Sequence, residues 1–402
     1  MFFFFNFEFP STSSELLKGN KGEWAEVYIF LTLLADGKVF AADKNMQKIA
    51  ERYLKILKIF REEIVGHKFE YIPGALIEII HNGEKVDGSL PVTKVLEYKN
   101  KIWALINSSR RGSISDEDVQ TFLRHIFVTK LKSPSADKGF FGGTKDIVME
   151  VEDYKSGIAS IVGFSCKSDF SGAATLFNAS KNNTNFQFKI IGPMTDAIAQ
   201  DFNSLVDIRG EKQVIATAKR MRLLKEHNCH LVFDNMVEPT ARRNLIMVGG
   251  SETPLLIAEM LRHYYYDGEG ASSFASISEL IQWLSDKDIA SFGASNLSDV
   301  YRYKISHLLY AMFTGMRLGN VWNGRSSVTG GYIVARNDGD VLAYHTCIAD
   351  EFMDFLVEHL ALEQPSHVRH LSMHISKSKD GEYFIKLPLQ IRFKTMRQES
   401  EE

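Results

Sequence analysis

The chain has 402 residues, of which 45% are hydrophobic and 24% charged, and its formal net charge is −3. This composition indicates a globular protein with one large domain or two to three smaller ones, and it excludes a strongly basic nucleic-acid binder without excluding a local basic cleft. Cys166, Cys229 and Cys347 form no CxxC pair, so the sequence favours a reducing compartment over a disulfide framework or zinc ribbon.

The first ten residues, MFFFFNFEFP, are apolar but carry no basic n-region and no small-residue cleavage site. They are therefore a poor signal peptide and too short to span a bilayer. We expect an edge strand or a docking segment here, and a cytoplasmic protein.

Helical periodicity begins at about residue 21 and runs to about 35, where Asn20 as N-cap and Glu23 form the pattern of a capping box. A second helix is predicted over roughly 42–65. Short strands in a mixed region are expected over 69–110. Another helix is expected over 116–131.

The segment IVMEVEDYKSGIASIVGFSCKS predicts strand, turn and strand, with the turn at Asp153 to Gly157. The remaining elements are a strand at 185–191, helices at 194–206, 211–227, 253–266, 276–286 and 297–315, a hairpin in GYIVARNDGDVLAYHT and an extended segment in GEYFIKLPLQIRFK. This mixed order predicts an α/β or α+β class, with a catalytic core and appended elements.

The first predicted hairpin brings a carboxylate and an ammonium group together. If it is centred on Ser156 and Gly157, Asp146 lies opposite Lys167 on the same face of the strand pair. A carboxylate can hold a divalent cation that polarises a phosphate, and an ammonium group beside it can orient water and stabilise phosphoryl charge. The backbone carbonyl of Cys166 would add an oxygen ligand, and hard oxygen ligands favour Mg²⁺.

This pattern, Asp146 followed by Ser165-Cys166-Lys167, resembles the PD-(D/E)xK nuclease signature with its central acid replaced. Ser165 is neutral, so the resemblance requires a second carboxylate from elsewhere. Glu26 is preferred, because in that superfamily the N-terminal helix often packs beside the active-site strands and supplies an acid. Glu150, on the first strand but closer to the turn, is the alternative.

Longer segments carry a wider resemblance from about residue 18 to 395: GNKGEWAEVYIFLTLLADGKVFAAD, GFSCKSDFSGAATLFNAS, GGYIVARNDGDVLAYH and YFIKLPLQIRFK. In this order they resemble the HpaII-type restriction endonuclease family. The resemblance implies a type II enzyme that uses Mg²⁺ to cut double-stranded DNA at a short palindrome, with CCGG as a candidate, and that acts as a homodimer on DNA.

The implied fold is a PD-(D/E)xK core, a mixed sheet flanked by helices, with additional helical and C-terminal β-hairpin elements. We assign residues 1–260 to the nuclease core and 261–402 to a region that completes the core and contacts DNA, with a single domain as the alternative.

Candidate DNA contacts lie in two polar loops. Arg317 and Arg325 belong to TGMRLGNVWNGRSSVTGG, and Asn178 and Asn185 belong to LFNASKNNTN. Turn formation explains the asparagines equally well, and the sequence does not separate base readers from phosphate anchors. Two rival functions stay open: another PD-(D/E)xK nuclease acting in repair or on junctions, and a DNA-binding protein made inactive by Ser165.

Overall fold

The computed structural model describes residues 17–64, 66–109, 113–132, 145–168, 175–180, 183–205, 213–268, 274–326, 328–345, 349–365 and 373–394. The helices in these segments are α1 Lys21–Asp36, α2 Val92–Ser108, α3 Glu117–His125, α4 Asp196–Ser204, α5 Gln213–Glu226, α6 Pro239–Gly249, α7 Thr253–Arg262, α8 Ile277–Lys287, α9 Leu297–Phe313 and α10 Ala349–His359. A π-helical turn, His263–Asp267, extends α7.

The strands in the same segments are β1 Lys38–Ala42, β2 Lys48–Ile64, β3 His67–Ile72, β4 Leu76–His81, β5 Glu84–Lys85, β6 Leu90–Pro91, β7 Ile147–Asp153, β8 Ala159–Ser168, β9 Thr175–Phe177, β10 Asn185–Ile191, β11 His230–Met236, β12 Phe274–Ser276, β13 Gly331–Ala335, β14 Val341–His345, β15 Leu360–Glu363, β16 Ile375–Lys377, β17 Tyr383–Pro388 and β18 Ile391–Phe393. The mixed α/β class predicted from the sequence is confirmed.

These elements form two compact units built from alternating stretches of chain. One unit takes the described parts of Met1–Ala174 and Ser327–Phe355, and the other takes those of Thr175–Ser326 and Leu356–Lys394. The sequence-based boundary near residue 260 lies inside α7, within the second unit.

The first unit contains a large mixed sheet in the order β1-β14-β13-β8-β7-β2-β3-β4-β5. Strand β1 pairs with β14 and also with β2, so six of these strands close into a cycle. Pairs β1–β14 and β8–β13 are parallel, whereas β7–β8 and β13–β14 are antiparallel hairpins. The sequence predicted a mixed sheet but did not predict this closure.

Helix α1 packs against β8 and α2 and is the most buried helix of the first unit. The predicted capping box is present: the Asn20 side chain accepts from the Glu23 backbone N–H, and the Glu23 side chain accepts from the Asn20 backbone N–H. Side chains from Trp24 to Leu34 are buried all round the helix, with Glu26 the exception. Because such a helix belongs to the core, a half-buried carboxylate within it needs an explanation.

The prediction of a helix over 42–65 is wrong, since this stretch is occupied mainly by the long strand β2. Leu54 and Ile56 are buried with a period of two residues, but a register shift between Ile56 and Lys58 breaks the alternation before Ile59. This irregularity hides the strand period, and the Lys, Glu and Leu content favours a helix locally.

The second unit contains two antiparallel sheets, β11-β10-β17-β16 and β12-β15-β18-β9. The predicted strand at 185–191 and the helices α4, α5, α7, α8 and α9 are confirmed. Strand β11 and helix α6 of this unit were not predicted. Neither were α2, which lies in the first unit where short strands were expected, and α10, whose residues divide between the two units. The C-terminal extended segment forms two strands, β17 and β18, which belong to different sheets.

Two sequence-based expectations fall outside the residues described: the N-terminal MFFFFNFEFP segment and Cys347. Within the described chain, Cys166 and Cys229 are both buried, free thiols. No helix in these segments has the length and apolar character needed to cross a membrane.

Candidate active site

Asp146 lies one residue before β7, and its carboxylate contacts the Ser165 hydroxyl and the Cys166 N–H across the hairpin. Ile147 pairs with Phe164, and the Asp146 backbone N–H donates to the Phe164 carbonyl at 2.9 Å. The predicted register is therefore wrong by two residues. A shift of two keeps every side chain on its face, so Asp146, Ser165 and Lys167 still share one face of the hairpin.

The reason for the shift lies in the turn. Asp153 Oδ1 accepts hydrogen bonds from the backbone N–H and the hydroxyl of Ser156, at 2.7 and 2.9 Å. Asp153 N–H also donates to the Ile158 carbonyl at 3.1 Å. These bonds close the loop one residue earlier than the predicted centre.

Ser165 orients the Asp146 carboxylate. Its hydroxyl donates to Asp146 Oδ2 at 2.9 Å, and the backbone N–H of Cys166 donates to the same oxygen at 2.7 Å. The other oxygen, Oδ1, makes no hydrogen bond within the described chain. One carboxylate oxygen is thus anchored and the other is available to a ligand, an arrangement that the sequence pattern did not indicate.

Glu26 is electrostatically coupled to this aspartate. Burial, reinforced by the charge of Asp146, raises the pKa of Glu26 to about 7, and the opposing charges of Lys132, Arg61 and Lys167 only partly offset the rise. No hydrogen bond or ion pair to Glu26 is present among the residues of the described segments. The site therefore holds a desolvated and only partly compensated carboxylate that interacts with Asp146.

Cys166 lies between Ser165 and Lys167 but belongs to the hydrophobic core. Burial, together with Asp146 and Glu26, raises the pKa of its thiol well above the usual range. The thiol stays protonated at neutral pH, so its backbone carbonyl is the group through which Cys166 could ligate a cation, as the sequence suggested.

A buried ion pair lies under the cluster and was missed by sequence reasoning. Arg61 Nε contacts Glu63 Oε1 at 2.5 Å, and Arg61 Nη2 donates to the Lys130 carbonyl at 2.9 Å. Glu63 Oε2 accepts from the backbone and hydroxyl of Thr129 and from Lys130 N–H, at 2.9 to 3.0 Å. These bonds fix the chain that leads to Lys132, whose ammonium group lies 3.4 Å from Glu23.

Glu150, the alternative second carboxylate, lies elsewhere on β7. It pairs with Ile161 on β8 and with Lys58 on β2, and it contributes to the raised pKa of Lys58. It is not among the charges that act on Glu26 or Cys166. The structure brings Glu26, and not Glu150, together with Asp146.

The metal-binding capacity of this cluster is that of two carboxylates and backbone oxygen. No group of three or more His, Cys, Asp or Glu side chains suited to a metal occurs in the part of the chain that the structure describes. Any cation here would keep much of its coordination for water and phosphate, which is the usual preference of Mg²⁺.

Gly163 in β8 makes room for a neighbouring lysine. A Cβ at this position would lie 2.2 Å from Cδ of Lys145, the buried residue that precedes Asp146. A glycine inside a strand often marks such a close approach, so Gly163 is the sequence feature that indicates a side chain packed against β8 at this point.

The candidate DNA-binding residues belong to the second unit and differ in accessibility. Asn178, Arg317 and Arg325 are exposed. Asn185 is buried at the start of β10, so its side chain is not available at the surface. Arg317 Nη1 donates to the carbonyls of Met312 and Met316 at the end of α9.

The chain is similar to known proteins over nearly its whole length. A family model described as HpaII restriction endonuclease matches residues 20–393. The chain is 32% identical over 385 residues to the type II restriction enzyme HpaII of Haemophilus parainfluenzae, covering 94% of this chain and 99% of the relative. No solved structure matches. The matched range includes every candidate site residue.

Proposed function

Because the chain belongs to the HpaII restriction endonuclease family, we propose that its hairpin site cuts both strands of duplex DNA at a short palindrome in a Mg²⁺-dependent reaction. As a member of that family the chain is a type II site-specific deoxyribonuclease. We propose CCGG as the first palindrome to test and the cytoplasm as the place of action.

The observation that carries the Mg²⁺ proposal is the desolvated, only partly compensated carboxylate of Glu26. Burial and the nearby charge of Asp146 make the ionised form of Glu26 unfavourable without a cation, as its raised pKa reflects, and Glu26 has no hydrogen-bond or ion-pair partner in the described chain. The Oδ1 atom of Asp146 is likewise uncommitted there. Carboxylate oxygens are the ligands that Mg²⁺ prefers. The residues present therefore fit a divalent cation held by Asp146 and Glu26, with the Cys166 carbonyl as a further ligand.

A bound Mg²⁺ would supply charge neutralisation at the scissile phosphate and acidify a water molecule. Lys167 orients the attacking water and stabilises charge that develops on the phosphoryl oxygens. Ser165 and the Cys166 N–H hold Asp146 in one orientation. In-line displacement would then leave a 3′-hydroxyl and a 5′-phosphate. We propose a PD-(D/E)xK type of site in which Glu26 of α1 supplies the carboxylate that is missing at Ser165.

The test is to incubate phage DNA with the protein and Mg²⁺ and to sequence the ends. We expect discrete fragments that end at one palindrome, no cutting in EDTA, and no cutting by the Asp146→Ala and Lys167→Ala variants. Normal cutting by Asp146→Ala would refute the proposed site. Nicking or cutting at branched structures alone would instead support a repair or junction nuclease.

A palindromic substrate has two-fold symmetry. Cutting both strands at equivalent positions is achieved most simply by two copies of one active site related by the same symmetry. We therefore propose that the protein acts as a homodimer on DNA.

A further inference from the structure

The loop after α9, residues Arg317–Arg325, is held in one conformation by a buried asparagine of α6. Asn244, with no exposed surface, donates through Nδ2 to the carbonyls of Arg317 and Asn320, at 2.9 and 2.7 Å. Its Oδ1 accepts from the Trp322 N–H at 3.3 Å. One side-chain amide therefore satisfies three backbone groups of this α9 loop.

A neighbouring arginine supports the same loop. Arg243 Nη1 donates to the Trp322 carbonyl at 2.9 Å and to Asn244 Oδ1 at 3.1 Å. The Trp322 backbone is thus fixed on both its N–H and its carbonyl sides by α6. Because Asn244 is buried, moving the loop away would leave its side-chain amide unsatisfied, which favours this loop conformation.

The tip of the loop fixes the backbone of Arg325. The Trp322 indole Nε1 donates to the Arg325 carbonyl at 3.0 Å, and Asn323 Oδ1 accepts from the Arg325 N–H at 3.0 Å. Gly324 between them has φ +83°, a conformation that side chains disfavour. Arg325 itself is exposed, and its guanidinium makes no hydrogen bond or ion pair within the described residues.

Arg317, at the other end of the loop, has a different role. Its guanidinium turns back onto the carbonyls of Met312 and Met316, at 2.9 and 3.2 Å, and burial lowers its pKa from the usual value. Arg317 and Arg325 are both exposed, but Arg317 uses Nη1 to complete the C-terminal end of α9, whereas the Arg325 guanidinium makes no hydrogen bond within the described residues. Arg325 is therefore the arginine whose whole guanidinium is available to a ligand.

The charge and shape of the loop suit DNA. No acidic residue occurs between Thr314 and Ser326, and the exposed tip also carries Val321, which is 73% exposed. An arginine fork matches the N7 and O6 acceptors of guanine in the major groove, and an apolar side chain can contact a thymine methyl. A loop that is already ordered loses less entropy when it binds.

Resting on the proposed function, we infer that the α9 loop is a base-reading element. Arg325 contacts guanine in the recognition sequence, and Asn244 is the positioning residue that holds the loop in its binding conformation. Neither Asn244 nor the hydrogen bonds within the loop could be inferred from the sequence, whereas Arg325 was one of two candidate arginines.

The test compares discrimination rather than activity alone. The ratio of kcat/KM for the enzyme's own site to kcat/KM for each single-base-pair variant is measured for the wild type, Arg325→Ala, Arg325→Lys and Arg242→Ala. Arg325→Lys keeps the charge but removes the bidentate fork. Arg242, exposed on α6, is the matched control for loss of a surface charge.

We expect both Arg325 variants to lose on the order of 10- to 100-fold of discrimination at a guanine position. Arg242→Ala should change kcat/KM by the same factor for every duplex, so its discrimination should equal that of the wild type. Asn244→Asp, which keeps the size but loses both donors, should lose discrimination at the same position, with folding checked by thermal melting. Should it fail to fold, Arg325→Lys decides the question.

If Arg325→Lys keeps the discrimination of the wild type, Arg325 contacts a phosphate or no DNA group at all, and the inference is overturned. The proposed function would still stand in that case, provided that the wild type cuts at a specific site. A wild-type protein that cuts no duplex in Mg²⁺ would contradict the proposed function instead. The two failures are therefore distinguishable.

Discussion

At the scale of single residues, the candidate site contains two carboxylates, Asp146 and Glu26, that interact electrostatically and are unequally compensated. Asp146 is oriented by two hydrogen bonds, from Ser165 and from the Cys166 N–H. Glu26 has a raised pKa and makes no hydrogen bond or ion pair in the described chain. This imbalance disfavours the ionised form of Glu26 in the metal-free protein, and the cation that we propose would relieve it, so the proposed function is maintained at a cost in stability.

The cost predicts how stability depends on pH. The pKa of Glu26 rises from 4.5 to about 7 on folding, so its favourable contribution is complete below pH 4.5 and is lost as pH rises through about 7. In EDTA, Glu26→Gln should exceed the wild type in free energy of unfolding by much less at pH 5 than at pH 8, where the difference is at most about 3 kcal/mol. Urea denaturation at both pH values measures this.

The same experiment has a clear negative outcome. If the difference between Glu26→Gln and the wild type is the same at pH 5 and pH 8, Glu26 does not titrate abnormally. Saturating Mg²⁺ should remove the pH 8 advantage of the variant, because the cation stabilises only a protein that keeps both carboxylates.

Individual residues differed in how far the sequence could predict them. Asp146, Lys167 and Glu26 were proposed from residue type, spacing and the resemblance, and the structure brings Glu26 together with Asp146. The part played by Ser165 depends on which residue it faces, and that register is set by hydrogen bonds of Asp153 in the turn. No sequence pattern reports such a contact.

At the scale of elements, α1 is the most predictable part of the site. Its first turn is defined by local hydrogen bonds between Asn20 and Glu23, and local signals can be read from a single segment of sequence. The strand β2 is the opposite case. Its identity depends on pairing with β1, β3 and β7, which local propensity does not report.

The capping box gives an element-scale prediction. Asn20→Ala removes the side chain that accepts from the Glu23 N–H, and should lower the free energy of unfolding by about 1 kcal/mol. Asn20→Asp, which caps as well, should stay within a few tenths of the wild type. Urea unfolding followed by tryptophan fluorescence is suitable, since Trp24 is fully buried in α1. Equal stability of both variants would contradict the cap's contribution.

At the scale of the whole molecule, the mixed class was predictable, but the arrangement of the strands was not. The six-strand cycle requires β1, near residue 40, to pair with β14, near residue 342. Each compact unit likewise joins stretches far apart in the chain. Such pairings follow from global packing, and a single sequence carries no local signal for them.

The symmetry of the substrate leads to a prediction about assembly. Sedimentation velocity with a duplex that carries the recognition site should give two protein chains per duplex in Ca²⁺, used to prevent cutting, and the same duplex with one altered base pair serves as the control. One chain per duplex, combined with successive nicking of the two strands, would show that a monomer cuts each strand in turn.

The central claim is that Asp146 and Glu26 together hold the cation. It is tested most directly by single-turnover cleavage across a Mg²⁺ titration for the wild type, Glu26→Gln and Glu23→Gln. Glu23→Gln is the matched control on the same helix, because glutamine also completes a capping box. We expect Glu23→Gln to stay within a few-fold of the wild type and Glu26→Gln to lose on the order of 10³-fold or more, equivalent to about 4 kcal/mol of transition-state stabilisation. Cleavage by Glu26→Gln at the wild-type rate, with an unchanged Mg²⁺ dependence, would contradict a role of Glu26 in holding the cation.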